Sequence, residues 1–265
     1  MPKGRLLAVN HQAWCLLATI SLLVGIAARA QDAVAEKKAE SPRVAMCVPL
    51  AVPVTQTTKI VVRGWALNLA TEVRSSSPQI SFKVLSVASV AVPNGQNATQ
   101  IGDTQMELEV TVAEGIEPGE STLTVVSPTG ESPHHKLLIG SIHPLIADSE
   151  PNDGFQQAQQ IQIPQAVDGQ IHGDKHVDVF SFDIAYPQSV TIEVLAGRYG
   201  SGLDSLLTLF DHRGQIVAVN DDQDGTSDSR ITAELAAGKY FMCLLDAQDH
   251  GGPAHPYRLV VQRMQ

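Results

Sequence analysis

Between residues 148 and 159 the chain reads DSEPNDGFQQAQ, which places Asp148, Glu150, Asn152 and Asp153 within six residues. Two carboxylates about 4 Å apart repel by roughly 1 kcal/mol in water and by several at protein-like dielectric. A folded cluster of this kind needs protonation, spreading into water, a cationic side chain or a metal ion. Calcium is the natural match, a hard cation that takes about six to eight oxygens, charged or amide. Asn152 fits such a set, because its amide oxygen adds a ligand without adding repulsion. A solvated turn is the competing reading, since Asp, Asn and Gly are ordinary turn formers.

Two further stretches concentrate acids. Gly173-Asp174-Lys175-His176-Val177-Asp178 leads into an apolar strand pattern, and Asn220-Asp221-Asp222-Gln223-Asp224-Gly225 is followed by Asp228. The second of these imitates the first half of an EF-hand loop. Its twelfth position is Ile231, where a bidentate Glu is required, and both flanks read as strands. Asn220, Asp222 and Asp224 are therefore expected to form a hairpin loop, at most a weak cation loop. The pairs His172/His176 and His250/His255 lack further ligands at the usual zinc spacing, so no zinc site is expected. The chain has no G-x-S-x-G elbow, no phosphate-binding glycine loop and no H-E-x-x-H. A Ser/His/Asp triad is recognised by geometry, and nothing in the sequence points to one.

The elements that must position these groups read as β throughout. Lys3 and Arg5 precede the apolar run Trp14–Ala28, and Ala28-Arg29-Ala30 supplies small residues around a cleavage point. That is the anatomy of a secretory signal peptide over residues 1–30, and the run is shorter than the roughly 20 residues a membrane span needs. Residues 31–41 read as a charged tether. Residues 42–142 carry strand patterns at Val44–Leu50, Lys59–Trp65, Ile80–Val92, Met106–Ala113, Ser121–Ser127 and Lys136–Ile139. In one of them Met106, Leu108, Val110 and Val112 alternate with Glu107, Glu109 and Thr111. That count suits an immunoglobulin-like sandwich.

Residues 143–265 carry strand patterns at Val177–Ile184, Val190–Ala196, Ser205–Asp211, Gln215–Asn220, Arg230–Leu235, Tyr240–Leu245 and Tyr257–Gln262, as in a jelly-roll sandwich. Gly154–Gln160 is the one weakly helical stretch. The expected fold class is all-β, with two β-sandwich domains after the signal peptide.

Charge narrows the partners. The whole chain carries a formal −10, and residues 148–265 hold 17 acids against 7 bases. Such a surface repels phosphate backbones and argues against nucleic-acid binding. Trp65, Tyr186, Tyr199 and Tyr257 are expected in the core or at sheet edges, so no sugar-stacking platform is indicated. Beyond the signal, Cys47 and Cys243 remain. They could pair as a disulfide or stand as buried thiols, and their spacing carries no metal or redox motif. Asn97-Ala98-Thr99 is a glycosylation sequon.

The last 118 residues resemble the bacterial pre-peptidase C-terminal (PPC) family. The carrying residues are Glu150-Pro151-Asn152-Asp153, Gly169-Gln170-Ile171, Asp174 to Asp178 with Phe180-Ser181-Phe182, Leu203 through Asp211, Gly214, Asn220-Asp221-Asp222, Ala237-Gly238-Lys239-Tyr240 and Tyr257-Arg258-Leu259. The resemblance implies a β-sandwich appended to secreted enzymes. In its collagenase relatives the domain binds collagen and uses calcium near the Glu-Pro-Asn-Asp segment. Carried over residue by residue, it implies a calcium site of Glu150, Asn152 and Asp153 with Asp174 or Asp178. His176 departs from the pattern, standing where some relatives carry an acid or a small residue. The first half resembles the Ig-like, IPT/TIG-like domains that precede PPC domains in planctomycete-type exported proteins.

No peptidase domain accompanies these modules, so the expectation is an exported, non-catalytic binding or adhesion protein. Its second domain would carry a structural calcium, and no transmembrane segment would remain after signal cleavage. Its place would be the periplasm, the cell surface or the medium, and its partner an extracellular or envelope protein or polysaccharide. An accessory subunit or inhibitor of a secreted peptidase, and a structural envelope protein without metal, are the alternatives.

Overall fold

The strands of the first half are β1 Arg43–Val48, β2 Ala51–Val52, β3 Thr57–Trp65, β4 Glu72–Ser75, β5 Ile80–Ser89, β6 Thr104–Val112, β7 Gly119–Ser127, β8 Gly130–Glu131 and β9 His135–Ile139. They belong to a computed structural model that describes residues 40–92, 98–223 and 225–264. The signal peptide, Asn97 of the sequon and Asp224 lie outside the described residues. One sheet runs β1-β3-β6-β5 and the other β2-β9-β7-β4, with β8 paired to β7. The alternation in β6 buries Met106, Leu108, Val110 and Val112. They pack on Ile60, Val62, Leu123, Val125 and Leu137 of neighbouring strands. A four-stranded sheet facing a second one, whose edge β2 lies parallel to β9, is the immunoglobulin-like arrangement.

The second half contributes β10 Leu145–Ala147, β11 Gln159–Gln160, β12 Gln165–Gln170, β13 Val177–Ile184, β14 Gln188–Leu195, β15 Ser205–Asp211, β16 Ile216–Asn220, β17 Arg230–Leu235, β18 Gly238–Asp246 and β19 Pro256–Arg263. One sheet runs β10-β12-β19-β14-β17 and the other β11-β13-β18-β15-β16. From β12 to β19 the strands alternate between sheets as in a jelly roll, except that β15 and β16 form a hairpin within one sheet. Phe180, Phe182, Ile192, Val194, Leu207, Leu209, Met242 and Leu259 fill the space between them.

Gly154–Gln160 is not helical. The Gln157 amide closes a turn on the Gly154 carbonyl (2.9 Å), and the chain continues as β11, parallel to β13. Phe155 holds this turn in place, stacked on Phe241 with centroids 4.7 Å apart and edge-on to Phe210 at 5.2 Å. That aromatic anchor favours the turn over the weak helical preference. Cys47 and Cys243 are both free thiols.

The two sandwiches meet through side chains. Leu50, Ala51 and Leu138 pack on Tyr199, and Met46 and Ile101 pack on Ala254. Gly200, with φ 86, lies so close that a Cβ there would stand 2.4 Å from the Ala45 carbonyl oxygen and 2.6 Å from His135 Cε1. His135 belongs to this seam, and burial pulls its pKa down to about 4, against a hydrogen bond to the Tyr199 backbone that raises it. A folded-state value below the unfolded one makes stability present above the ordinary His range and lost as pH falls through about 4. His135→Gln is therefore expected to flatten the decline of melting temperature between pH 6.5 and 4. An unchanged pH profile would count against this role.

Candidate metal centre

The segment after β10 crosses the edge of the second sandwich. Asp148 donates its amide to the Asp168 carbonyl (2.8 Å), and the Asn152 carbonyl accepts from the Val179 amide of β13 (2.9 Å). The loop before β13 turns through Lys175 at φ 62, with the His176 amide on the Gly173 carbonyl (3.1 Å). These backbone bonds bring two acidic stretches, more than twenty residues apart in sequence, into one cluster.

Asn152 is fully buried, and its Nδ2 donates to Asp148 Oδ1 (2.7 Å) while its backbone amide donates to Glu150 Oε2 (3.1 Å). Asp178 is also fully buried. Its Oδ2 accepts from the Tyr257 hydroxyl, and its Oδ1 lies 3.1 Å from His176 Nδ1 without hydrogen-bond alignment. His176 Nε2 lies 3.4 Å from Glu150 Oε1 and 3.1 Å from Asp153 Oδ1, and His172 Nδ1 lies 3.2 Å from Glu150 Oε1. Asp148 Oδ2, Asn152 Oδ1 and Asp178 Oδ1 are buried without hydrogen-bond partners. Unpaired buried oxygens are costly, so such a group needs an explanation, and a cation is one. Two donor sets within reach of a single ion stand out among the described residues. They are Asp148, Glu150 and Asp178, and Glu150, His172 and His176.

The electrostatics agree with the geometry. Burial pushes the Asp178 carboxyl up to about 8; the Tyr257 hydrogen bond opposes this, and the charges of Asp148, Glu150 and Asp153 add to it. Burial, then Glu150, raises Asp148 as well. Tyr257 reaches Asp178 because Gly169 leaves room. A Cβ there would lie 2.4 Å from the Tyr257 hydroxyl and 2.9 Å from Asp148 Cβ. Gly169→Ala is expected to displace the ring and to cost ~1–3 kcal/mol, as overpacking does. Denaturant unfolding measures this, and a cost below about 0.5 kcal/mol would show that the ring has room to move.

Of the residues expected to bind calcium, the structure gathers Glu150, Asn152, Asp153 and Asp178. Asp174 is different: it is exposed, stands in neither donor set, and its charge acts on His255. Asp148 joins the cluster, and so do His172 and His176, which sequence spacing had left without partners. In the β16–β17 loop, Asn220 is engaged at both ends. Its Oδ1 accepts from the Arg230 amide (2.7 Å) and its Nδ2 donates to the Asp222 carbonyl (2.9 Å). The carboxylate of Asp228 accepts from the amides of Ala196 and Gly197 and from the Arg198 guanidinium, so it acts as a cap and a salt-bridge partner.

The fold and cluster together define a β-sandwich module carrying a carboxylate–histidine centre at one edge. Residues 176–244 match the family described as the bacterial pre-peptidase C-terminal domain. The match falls within the second sandwich, where the ordered motifs resemble this family. The matched span begins after the loop that holds Glu150, Asn152 and Asp153. Among solved structures, the chain is similar to the pre-peptidase C-terminal domain of a collagenase from Bacillus anthracis, at 21% identity over 43% of this chain and 99% of that one, with a TM-score of 0.35. It is similar to PliG of Aeromonas hydrophila, a periplasmic inhibitor of g-type lysozyme, at 16% identity over 40% of this chain and 99% of that one (TM-score 0.28). A third is the SGBP-B protein of Bacteroides ovatus, solved with a mixed-linkage heptasaccharide, at 8% identity over 81% of this chain and 71% of that one (TM-score 0.23). No curated protein matches the sequence. No helix among the described residues is long and apolar enough to cross a membrane.

Proposed function

We propose that this protein is an exported, non-catalytic binding or adhesion module whose second sandwich is stabilised by calcium. The carrying observation is that Asp148, Glu150 and Asp178 each offer a carboxylate oxygen within 4.8 Å of the others, while Asp148 Oδ2, Asn152 Oδ1 and Asp178 Oδ1 are buried without hydrogen-bond partners. An all-oxygen set with three carboxylates suits a hard cation. Calcium held there would tie the Asp148–Asp153 loop to β13.

The non-catalytic part is supported by a Ser/His/Asp grouping whose side chains are engaged in turns rather than with one another. Ser201, His255 and Asp246 border a space of about 380 Å³. His255 Nε2 stands 3.9 Å from Asp246 Oδ2, too far for a hydrogen bond. Asp246 instead accepts from the amides of Asp204, Gln248 and His250, and the Ser201 hydroxyl accepts from the Leu203 amide (3.2 Å). These are the contacts of turn-forming residues. The partner is an extracellular or envelope protein or polysaccharide. The exposed apolar side chains Val84, Leu85 and Val87 of β5 and Ile216, Val217 and Val219 of β16 offer it contact surface.

Thermal unfolding in excess EDTA, then in millimolar calcium or magnesium, tests the metal. Saturation at about 100 times Kd stabilises by ~2.7 kcal/mol, or roughly 5–10 °C for a chain of this size. A calcium-specific rise of that order is expected. Equal melting in all three solutions would leave the acids as solvated turns.

A further inference from the structure

The cluster contains a second donor set whose chemistry is not that of calcium. His172 Nδ1 and His176 Nε2 both face Glu150 Oε1, at 3.2 and 3.4 Å, and Asp153 Oδ1 stands 3.1 Å from the same His176 nitrogen. Imidazole nitrogens are poor ligands for a hard oxygen-seeking cation and good ones for zinc. Zinc binds nitrogen and carboxylate oxygen at about 2.0–2.2 Å in a tetrahedron, which sets neighbouring donors about 3.3–3.5 Å apart. Glu150, His172 and His176 each offer an atom within 4.8 Å of the others, so these three can close on one such ion.

A second, independent observation supports the set. Metal-bound histidines almost always turn their other ring nitrogen to a carboxylate or carbonyl, which fixes the tautomer and the ring. His176 Nδ1 lies 3.1 Å from Asp178 Oδ1, a fully buried oxygen without a hydrogen-bond partner, and Asp178 is itself anchored by the Tyr257 hydroxyl. A small rotation of the imidazole would make Nδ1–H the donor and leave the Nε2 lone pair directed toward Glu150 and Asp153. The set is also accessible. The His172 and Asp153 side chains are about half exposed, at 53% and 54%, so an ion can enter from solvent and retain a water ligand.

We propose that Glu150, His172 and His176 form a zinc site at the mouth of the acidic cluster, its fourth position open to water. Asp178 acts there as a positioning residue for His176. The site shares Glu150, and through His176 also Asp178, with the calcium reading, but does not rest on it, because His172 and His176 belong to this set alone.

The test uses the full chain, stripped with chelator and titrated with zinc by equilibrium dialysis and with cobalt(II) as a spectroscopic stand-in. One zinc per chain is expected, together with the intense visible absorption of tetrahedral cobalt. His172→Gln and His176→Gln should each weaken zinc binding at least tenfold and bleach the cobalt spectrum. His172→Gln should leave any calcium-dependent rise in melting temperature intact, and Asp148→Asn should do the reverse, removing the calcium response and retaining zinc. His172 is exposed, so its variant folds. Absence of zinc binding in the wild type would overturn the proposal, as would zinc affinity unchanged in both histidine variants. Failure of the calcium response alone would leave the zinc site standing.

Discussion

Asp178→Asn is expected to raise the melting temperature of the chelator-treated protein at pH 8 and to abolish its response to calcium. Both effects follow from one buried carboxyl. Asp178 is fully buried, and burial holds its pKa up at about 8. An acid whose folded-state pKa lies above the unfolded value contributes stability that is full below about pH 4 and is lost as pH rises through about 8. Without a cation the protein is therefore less stable at pH 8 than at pH 5. Each unit of such a shift corresponds to about 1.4 kcal/mol, so even a fraction of it is several degrees of melting temperature at ~2–4 °C per kcal/mol. Asparagine keeps the acceptor that Tyr257 needs and removes the charge, so the cation-free variant should melt at least about 3 °C higher. With the buried charged oxygen of β13 gone from the set of Asp148, Glu150 and Asp178, it should no longer respond to calcium. A variant that melts lower and still gains stability from calcium would mean that Asp178 is neither strained nor a ligand.

Arg258→Met is expected to cost about 3 kcal/mol, a fall of roughly 6–12 °C. Arg258 is buried, with Nε and Nη2 forked onto the Asp168 carboxylate at 2.6 and 2.8 Å and Nη1 on the Gly140 carbonyl. Gly140 follows β9, the last strand of the first sandwich, and Arg258 lies on β19 of the second. The side chain therefore ties the two halves together. Methionine fills the same space but leaves a carboxylate and a carbonyl unpaired, and breaking a buried pair from one side costs about 3–5 kcal/mol. Asp168 is partly exposed, which places the value at the lower end. Arg258→Lys should recover only part of the loss, since an ammonium cannot reproduce the fork. Denaturant unfolding measures both variants, and a cost for Arg258→Met below 1 kcal/mol would show that the seam is held by its apolar contacts alone.

The strands that alternate strongly were legible in the sequence. Val177–Ile184, Ser205–Asp211 and Arg230–Leu235 begin and end where their patterns do. Those that were not legible have weak patterns. Glu72–Ser75 is polar, Leu145–Ala147 is short, and Gln165–Gln170 contains glutamine, aspartate and glycine. Each is a strand because a neighbour pairs with it, which no local propensity records. The candidate site divides along the same line. The clustering of Glu150, Asn152 and Asp153 is local and visible. Tyr257 and Gly169 enter across the sheet, from strands β19 and β12 that pair at those residues. Asp174 stands in neither donor set, beside a left-handed turn at Lys175 that has no compositional signature. His172 and His176 are correctly spaced for a metal, but their carboxylate partner lies upstream across a fold that spacing alone does not show.

Calcium titration calorimetry of the chelator-stripped protein at pH 7.5, alongside Asp178→Asn, bears most directly on the metal centre. One calcium per chain in the wild type and none in the variant is the expected result. No calcium-specific heat from a folded wild type, or undiminished binding by Asp178→Asn, would contradict it.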